Sequence, residues 1–190
     1  GLLMPDDFNS FMCAVRRSFN VSEKPEISGT LFPGSVDMAL ISSYSNEGVS
    51  PVMFEVPSLL MRECEIKNLP NVMQLLDHTK YLMEAYRYSS WGISLARGIE
   101  GRDKGKWEHN IMELLRYEPT FLSFFRAFQM DGEENGLDDA KKLIIRAGYK
   151  QVTHNFYSIN GSRPKYLDKS VEVVGVGLGA KSKCDGFYTK

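Results

Sequence analysis

Three cysteines and three histidines are the residues of this chain best suited to do chemistry. A cysteine nucleophile needs an imidazole within hydrogen-bond reach, which lowers the thiol pKa. Cys13 follows Asn9-Ser10 on a helical pattern, and His78, His109 and His154 are the available bases. All three stand far from it in sequence. Cys13 also lies beside the apolar positions of its own helix, where a small buried residue is the simpler reading. A metal centre needs ligands at close spacing. No Cys or His pair has that spacing, and the neighbours Asp77 and His78 diverge by about 100° on a helix. The sequence therefore offers no catalytic set, no metal site and no cofactor site.

Two glycine-rich stretches have the texture of phosphate loops. Val173-Val174-Gly175-Val176-Gly177-Leu178-Gly179 follows a strand pattern. A dinucleotide turn needs a helix next, with its N-terminus facing the pyrophosphate. The short segment after Gly179 contains Gly186 and lacks the rest of such a unit. Gly101-Arg102-Asp103-Lys104-Gly105-Lys106-Trp107 is shorter than a P-loop and has Trp107 where a hydroxyl would bind magnesium. Both read as loop or tail.

A helix over Leu137–Ala147, then Gly148-Tyr149 and a strand carrying Val152, is similar to the C-terminal end of many Rossmann-type methyltransferases. That resemblance covers a small part of the chain. It implies an S-adenosylmethionine-dependent enzyme as the alternative to a non-catalytic role. The glycine motif after a first strand, which that family uses for its cofactor, has no counterpart upstream.

Charge is segregated. Residues 140–190 carry ten lysines and arginines against three acids, whereas residues 1–66 carry nine acids against four bases. The formal net charge of −1 argues against a uniformly basic nucleic-acid binder. Any polyanion contact must be local, and the candidates are Lys141, Lys142, Arg146, Lys150, Arg163, Lys165, Lys169, Lys181 and Lys183. Tyr149, Phe156, Tyr157, Tyr166, Phe187 and Tyr188 interleave with them, a composition suited to RNA, to an anionic membrane surface or to solvent. The acidic stretch Asp131–Asp139 precedes it and could pair with it between copies.

A hydrophobic fraction of 43% with little net charge excludes disorder. Three widely spaced cysteines suit a reducing, intracellular compartment, with an organelle or virion as variants, and give no disulfide framework. Two sequons, Asn20-Val21-Ser22 and Asn160-Gly161-Ser162, do not change that reading. No apolar run reaches the length of a membrane span.

Apolar spacing predicts a helix from Asp6 to Phe19. Strands are predicted at Val36–Ile41, Val49–Val56 and Leu59–Ile66, with Pro33, Pro51 and Pro57 confining them to edges. A long helix is predicted from Pro70 to Ala96, another around Trp107–Leu115, and a third at Thr120–Met130, apolar nearly all round. Leu137–Ala147 is a further helix, Tyr149–Ile159 a strand, and Tyr166–Val176 its returning partner.

The expected fold is α+β, a helical core (residues 69–147) packed on a small antiparallel sheet from residues 27–66 and 149–176. One domain spans residues 1–176, followed by a Gly/Lys-rich tail at 177–190. The expected role is a non-catalytic structural or assembly subunit, matrix- or coat-like or from an organellar complex. It would make protein contacts or self-associate through Phe121, Phe124, Phe125 and Phe128, and the alternatives are the small enzyme above or an RNA-binding protein.

Overall fold

The computed structural model describes residues 4–19, 25–56, 72–88, 90–97, 104–126, 137–168, 170–175, 182–184 and 187–189. The first helix, α1 (Pro5–Ser18), starts on a proline that needs no amide partner, carries Asp6 and Asp7 in its first turn and ends on Arg16 and Arg17. Phe8 and Met12 are its buried residues, and Phe8 stacks on Tyr44 at 4.4 Å. Arg16 pairs with Glu47 at 2.7 Å.

Strand β1 (Ile27–Leu31) leads to α2 (Met38–Asn46) and β2 (Val49–Val56). The predicted strand at Val36–Ile41 is thus mostly helix. Asp37 decides it, because its carboxylate accepts the Leu40 amide at 2.8 Å and caps the helix. The predicted strand at Leu59–Ile66 lies outside the described residues.

Helix α3 (Val72–Ala85) buries Val72, Leu76, Thr79, Leu82 and Met83, the apolar stripe read from the sequence. It stops sooner than the sequence suggests. Arg87 adopts a positive φ of 52°, and the Tyr88 amide donates back to Met83. This is a helix stop without the usual glycine. The chain then runs as β3 (Trp91–Arg97), where the sequence predicted more helix. The next unit repeats the device. Helix α4 (Lys104–Leu115) ends before Glu118, at φ 51°, and β4 (Phe121–Arg126) follows.

The predicted helix at Thr120–Met130 is therefore a strand over Phe121–Arg126. Apolar residues surround it because it is buried on both faces of a sheet, not because it sits inside a bundle. Helix α5 (Leu137–Arg146) forms as predicted, and Gly148 closes it at φ 95°. Strands β5 (Lys150–Thr153) and β6 (Phe156–Ser158) make a hairpin where one strand was expected. The expected returning strand is instead a 3-10 turn, Lys165–Leu167. A separate small hairpin, β7 (Ser182–Cys184) and β8 (Phe187–Thr189), lies within the predicted tail.

The strands form one mixed sheet in the order β1-β2-β3-β4-β6-β5. The first four are parallel, and β6 and β5 add antiparallel at one edge. The α+β class holds, with five helices against six strands. The sheet is larger than expected and mainly parallel, since each parallel pair is joined through a helix. The four parallel strands follow in sequential order, without the reversal of a Rossmann sheet, so the methyltransferase-like reading of Leu137–Ile159 does not extend to the fold.

Alternation along the strands separates two faces. Val52, Phe54, Val56, Ile93, Leu95, Leu122 and Phe124 join the helices' buried side chains in the main core. Met53, Phe121 and Phe156 form a second, smaller cluster on the other face, with Val152 and Leu167 against it. Gly92 lies between them. A Cβ there would meet Met53 Sδ at 2.6 Å, Phe121 Cβ at 2.7 Å and the Phe121 carbonyl at 2.8 Å. The backbone contact cannot be relieved by a rotamer change. Gly92→Ala is expected to lower stability by about 1–3 kcal/mol through overpacking, read as a lowered midpoint in urea.

Candidate active site

The sheet register builds the site. On the face away from the core, Thr30, Met53, Gly92 and Phe121 are aligned across β1 to β4. Two residues further along the strands, Glu55, Ser94, Ser123, Phe156 and Thr153 form the next row, across β2, β3, β4, β6 and β5. The first row is mostly apolar and makes a floor. The second places a carboxylate and two hydroxyls side by side above it. Ser123 Oγ donates to Ser94 Oγ at 2.8 Å, and Ser94 is buried.

A cavity of about 270 Å³ opens over these rows. Thr30, Met53, Glu55, Ser94 and Ser123 line its strand side. Thr153 and Asn155 from the β5–β6 hairpin, with Tyr166 and Leu167 from the 3-10 turn, line the other. The segment carrying Tyr166 crosses the whole face. It leaves β6, near one edge of the sheet, and reaches Glu26 just before β1, at the opposite edge, where the Lys165 amide donates to Glu26 Oε1 at 2.6 Å. Leu167 then packs on Met53, Phe121 and Phe156.

Glu55 is the one ionisable carboxylate among the described lining residues. Its side chain keeps contact with solvent through the open cavity. The surrounding protein still raises its pKa above the ordinary value by desolvation. Burial likewise raises Tyr166 to about 12, with a further push from Glu26, so its phenol stays protonated. The site thus combines one partly desolvated carboxylate, several neutral hydroxyls and the rings of Phe125, Phe156 and Tyr166. Such a set can hold a cationic or hydroxyl-rich group and present aromatic faces to a flat one.

The residues singled out by sequence lie mostly elsewhere. Cys13 is exposed on α1, not buried as expected. His78, His109 and His154 are exposed on α3, on α4 and in the β5–β6 turn, and none lines the cavity. Among the described residues no group of three or more His, Cys, Asp or Glu is placed to hold a metal. Lys141, Lys142 and Arg146 sit on α5, where Lys141 lies 3.7 Å from Asp138 and Lys142 2.8 Å from Asp139. Lys150 is on the edge strand β5, and Arg163 and Lys165 are on the crossing segment. Lys183 belongs to β7, while Lys169 and Lys181 are outside the described residues. Phe121 belongs to the small apolar cluster with Met53 and Phe156, Phe124 joins the main core and also borders the cavity, Phe125 lines the cavity, and Phe128 is outside the described residues.

Glu55, Ser94 and Ser123 escaped the sequence reading. Their signal is a single polar residue at alternate positions in an apolar strand, as in Met53-Phe54-Glu55-Val56 or Leu122-Ser123-Phe124. Residues 91–96 and 121–126 read as helix, and a helical period hides that alternation.

No protein-family model and no curated protein sequence matches the chain. Among solved structures, the fold matches coproporphyrinogen III oxidase (HemN) from Escherichia coli, described as a radical SAM enzyme. The TM-score is 0.77 at 12% identity, over 95% of this chain and 49% of that one. This chain thus corresponds to about half of that protein. At this identity the likeness carries the fold. It speaks against the expected non-catalytic structural or assembly subunit, because the protein that shares this fold is described as an enzyme. Nothing among the described residues speaks for assembly or an oligomer. No described helix is long and apolar enough to cross a membrane.

Desolvation of Glu55 has a consequence for stability. Its folded pKa lies above the unfolded one, so the folded state holds the proton more tightly, and stability falls as pH rises between those two values. Glu55→Gln is therefore expected to be more stable than the parent at neutral pH. The difference should vanish below the ordinary carboxylate range, as measured by urea titrations across pH.

Proposed function

We propose that this chain is an enzyme, or the part of one that holds the reaction site, and that it binds S-adenosylmethionine in the cavity over the Glu55–Ser94–Ser123 row. One observation carries the reading. A polar row lies on the face of a mainly parallel sheet opposite the main core, within a fold shared with a radical SAM enzyme. S-adenosylmethionine carries an ammonium, a sulfonium, a ribose diol and an adenine. The Glu55 carboxylate suits the cationic groups or the diol, the hydroxyls of Thr30, Ser94 and Ser123 suit the polar edges, and Phe125 and Phe156 offer faces to the base.

When bound, S-adenosylmethionine supplies the reactive chemistry. The chain's own residues bind, orient and exclude water. Glu55 must be ionised to face a cation, and desolvation raises its pKa above the ordinary carboxylate value. Ser123, which donates to Ser94, fixes the direction of that hydroxyl pair. Met53 and Leu167 give the cavity its apolar lining and pack with Phe121 beneath it.

An iron–sulfur cluster does not fit the residues of this chain. Such clusters are held by cysteine thiolates a few residues apart. Cys13, Cys64 and Cys184 are far apart in the sequence, and none is among the lining residues. No step through a cluster is derived.

Isothermal titration with S-adenosylmethionine tests the proposal. Saturable binding is expected, weakening as pH falls through the Glu55 titration. Glu55→Gln should weaken it by about 10- to 100-fold, the loss of a charge-assisted contact, while circular dichroism stays unchanged. Folded protein that gives no saturable heat sinks the proposal.

A further inference from the structure

The cavity has two chemically different sides. The carboxylate and the serine pair come from the parallel strands. The opposite side comes from the β5–β6 hairpin and the crossing segment, and it is built from Thr153, Asn155, Phe156, Tyr166 and Leu167. None of these carries a charge, and among the described lining residues there is no Lys, Arg or His. Among the described lining residues the single charge is the Glu55 carboxylate.

That arrangement selects on charge. An anion entering the cavity would lose hydration without gaining a cationic partner among these residues. It would also be repelled by the Glu55 carboxylate, which solvent reaches through the open cavity. An uncharged ring meets neither cost. It can lie against Tyr166 and Leu167, and the phenol and the Thr153 hydroxyl can hydrogen-bond an amide or hydroxyl at its edge. The burial that lifts the Tyr166 pKa to about 12 keeps this phenol a hydrogen-bond donor at any physiological pH. Its position is set from outside the cavity, by the 2.6 Å bond from the Lys165 amide to Glu26 and by Leu167 on the floor.

We propose that the hairpin and the crossing segment form a second subsite, for an uncharged aromatic co-substrate, with Tyr166 as its specificity-determining residue. The inference rests on the reading of this cavity as a reaction site. It also separates this chain from the enzyme whose fold it shares. Coproporphyrinogen is rich in carboxylates, and the described residues on this side of the cavity offer no cation to pair with them.

Benzamide and benzoate are nearly the same shape and differ in charge, which makes them the probes. Saturation-transfer NMR on the full chain should show benzamide bound and benzoate unbound. Tyr166→Ala should abolish the benzamide signal. Tyr166→Phe, which keeps the ring and removes one neutral hydrogen bond, should weaken binding by about 2- to 10-fold. Both variants should leave S-adenosylmethionine affinity within about twofold, since Tyr166 is assigned to the other ligand. Coproporphyrin III, followed by its own fluorescence, should not bind.

Equal binding of benzamide and benzoate overturns the charge selection. Benzamide binding that survives in both Tyr166 variants overturns the subsite. Tight coproporphyrin binding overturns the whole inference. If S-adenosylmethionine fails to bind while benzamide still follows Tyr166, the cofactor reading falls and the subsite stands.

Discussion

The strict alternation of the four parallel strands is the constraint on which the rest of this structure depends. Parallel neighbours must be joined by long crossovers, and here each crossover carries a helix. The helices bury one side chain of every two, as Val52, Phe54, Ile93, Leu95, Leu122 and Phe124 show. The intervening residues are left to the other face, free of the main core's demand for apolar volume. Glu55, Ser94 and Ser123 can be polar for that reason alone. A one-residue slip in β2 would drive Glu55 into the core and expose Phe54.

The other face would be an unprotected surface without the chain that follows β6. The crossing segment lays Leu167 over Met53, Phe121 and Phe156 and ties its backbone to Glu26. Gly92 makes this closure possible, because any larger residue would push Met53 and Phe121 apart. Stability and site geometry therefore meet at one position. At Glu55 they oppose each other, since desolvation costs the folded state something and readies the carboxylate for a cation. Such opposition is common where a residue serves a site and not the fold.

The sequence made some of this legible. The stripe of α3, the acidic and basic ends of α1, and Gly148 after α5 all follow local rules, and the structure obeys them. Strands β3 and β4 were not legible. Glycine is the ordinary mark of a helix stop, but this chain uses Arg87 and Glu118 in the left-handed region. A strand buried on both faces also loses its period, so Phe121–Arg126 looked like a core helix. Once two strands were read as helices, the parity that aligns Glu55, Ser94 and Ser123 had no way to appear. The segregated charge drew attention to the C-terminal third, and the residues there that matter to the cavity are the uncharged ones, Tyr166 and Leu167.

The bond between the Lys165 amide and Glu26 joins residues 139 positions apart. During synthesis, α1 to β4 can pack as each leaves the ribosome, because their contacts lie between sequence neighbours. The cavity cannot. Its far wall does not exist until the chain has been made as far as Leu167 and has swung back to the first strand. A nascent chain therefore carries its sheet before it carries its pocket. Any ligand of this cavity would find its full lining only after Leu167 has been made.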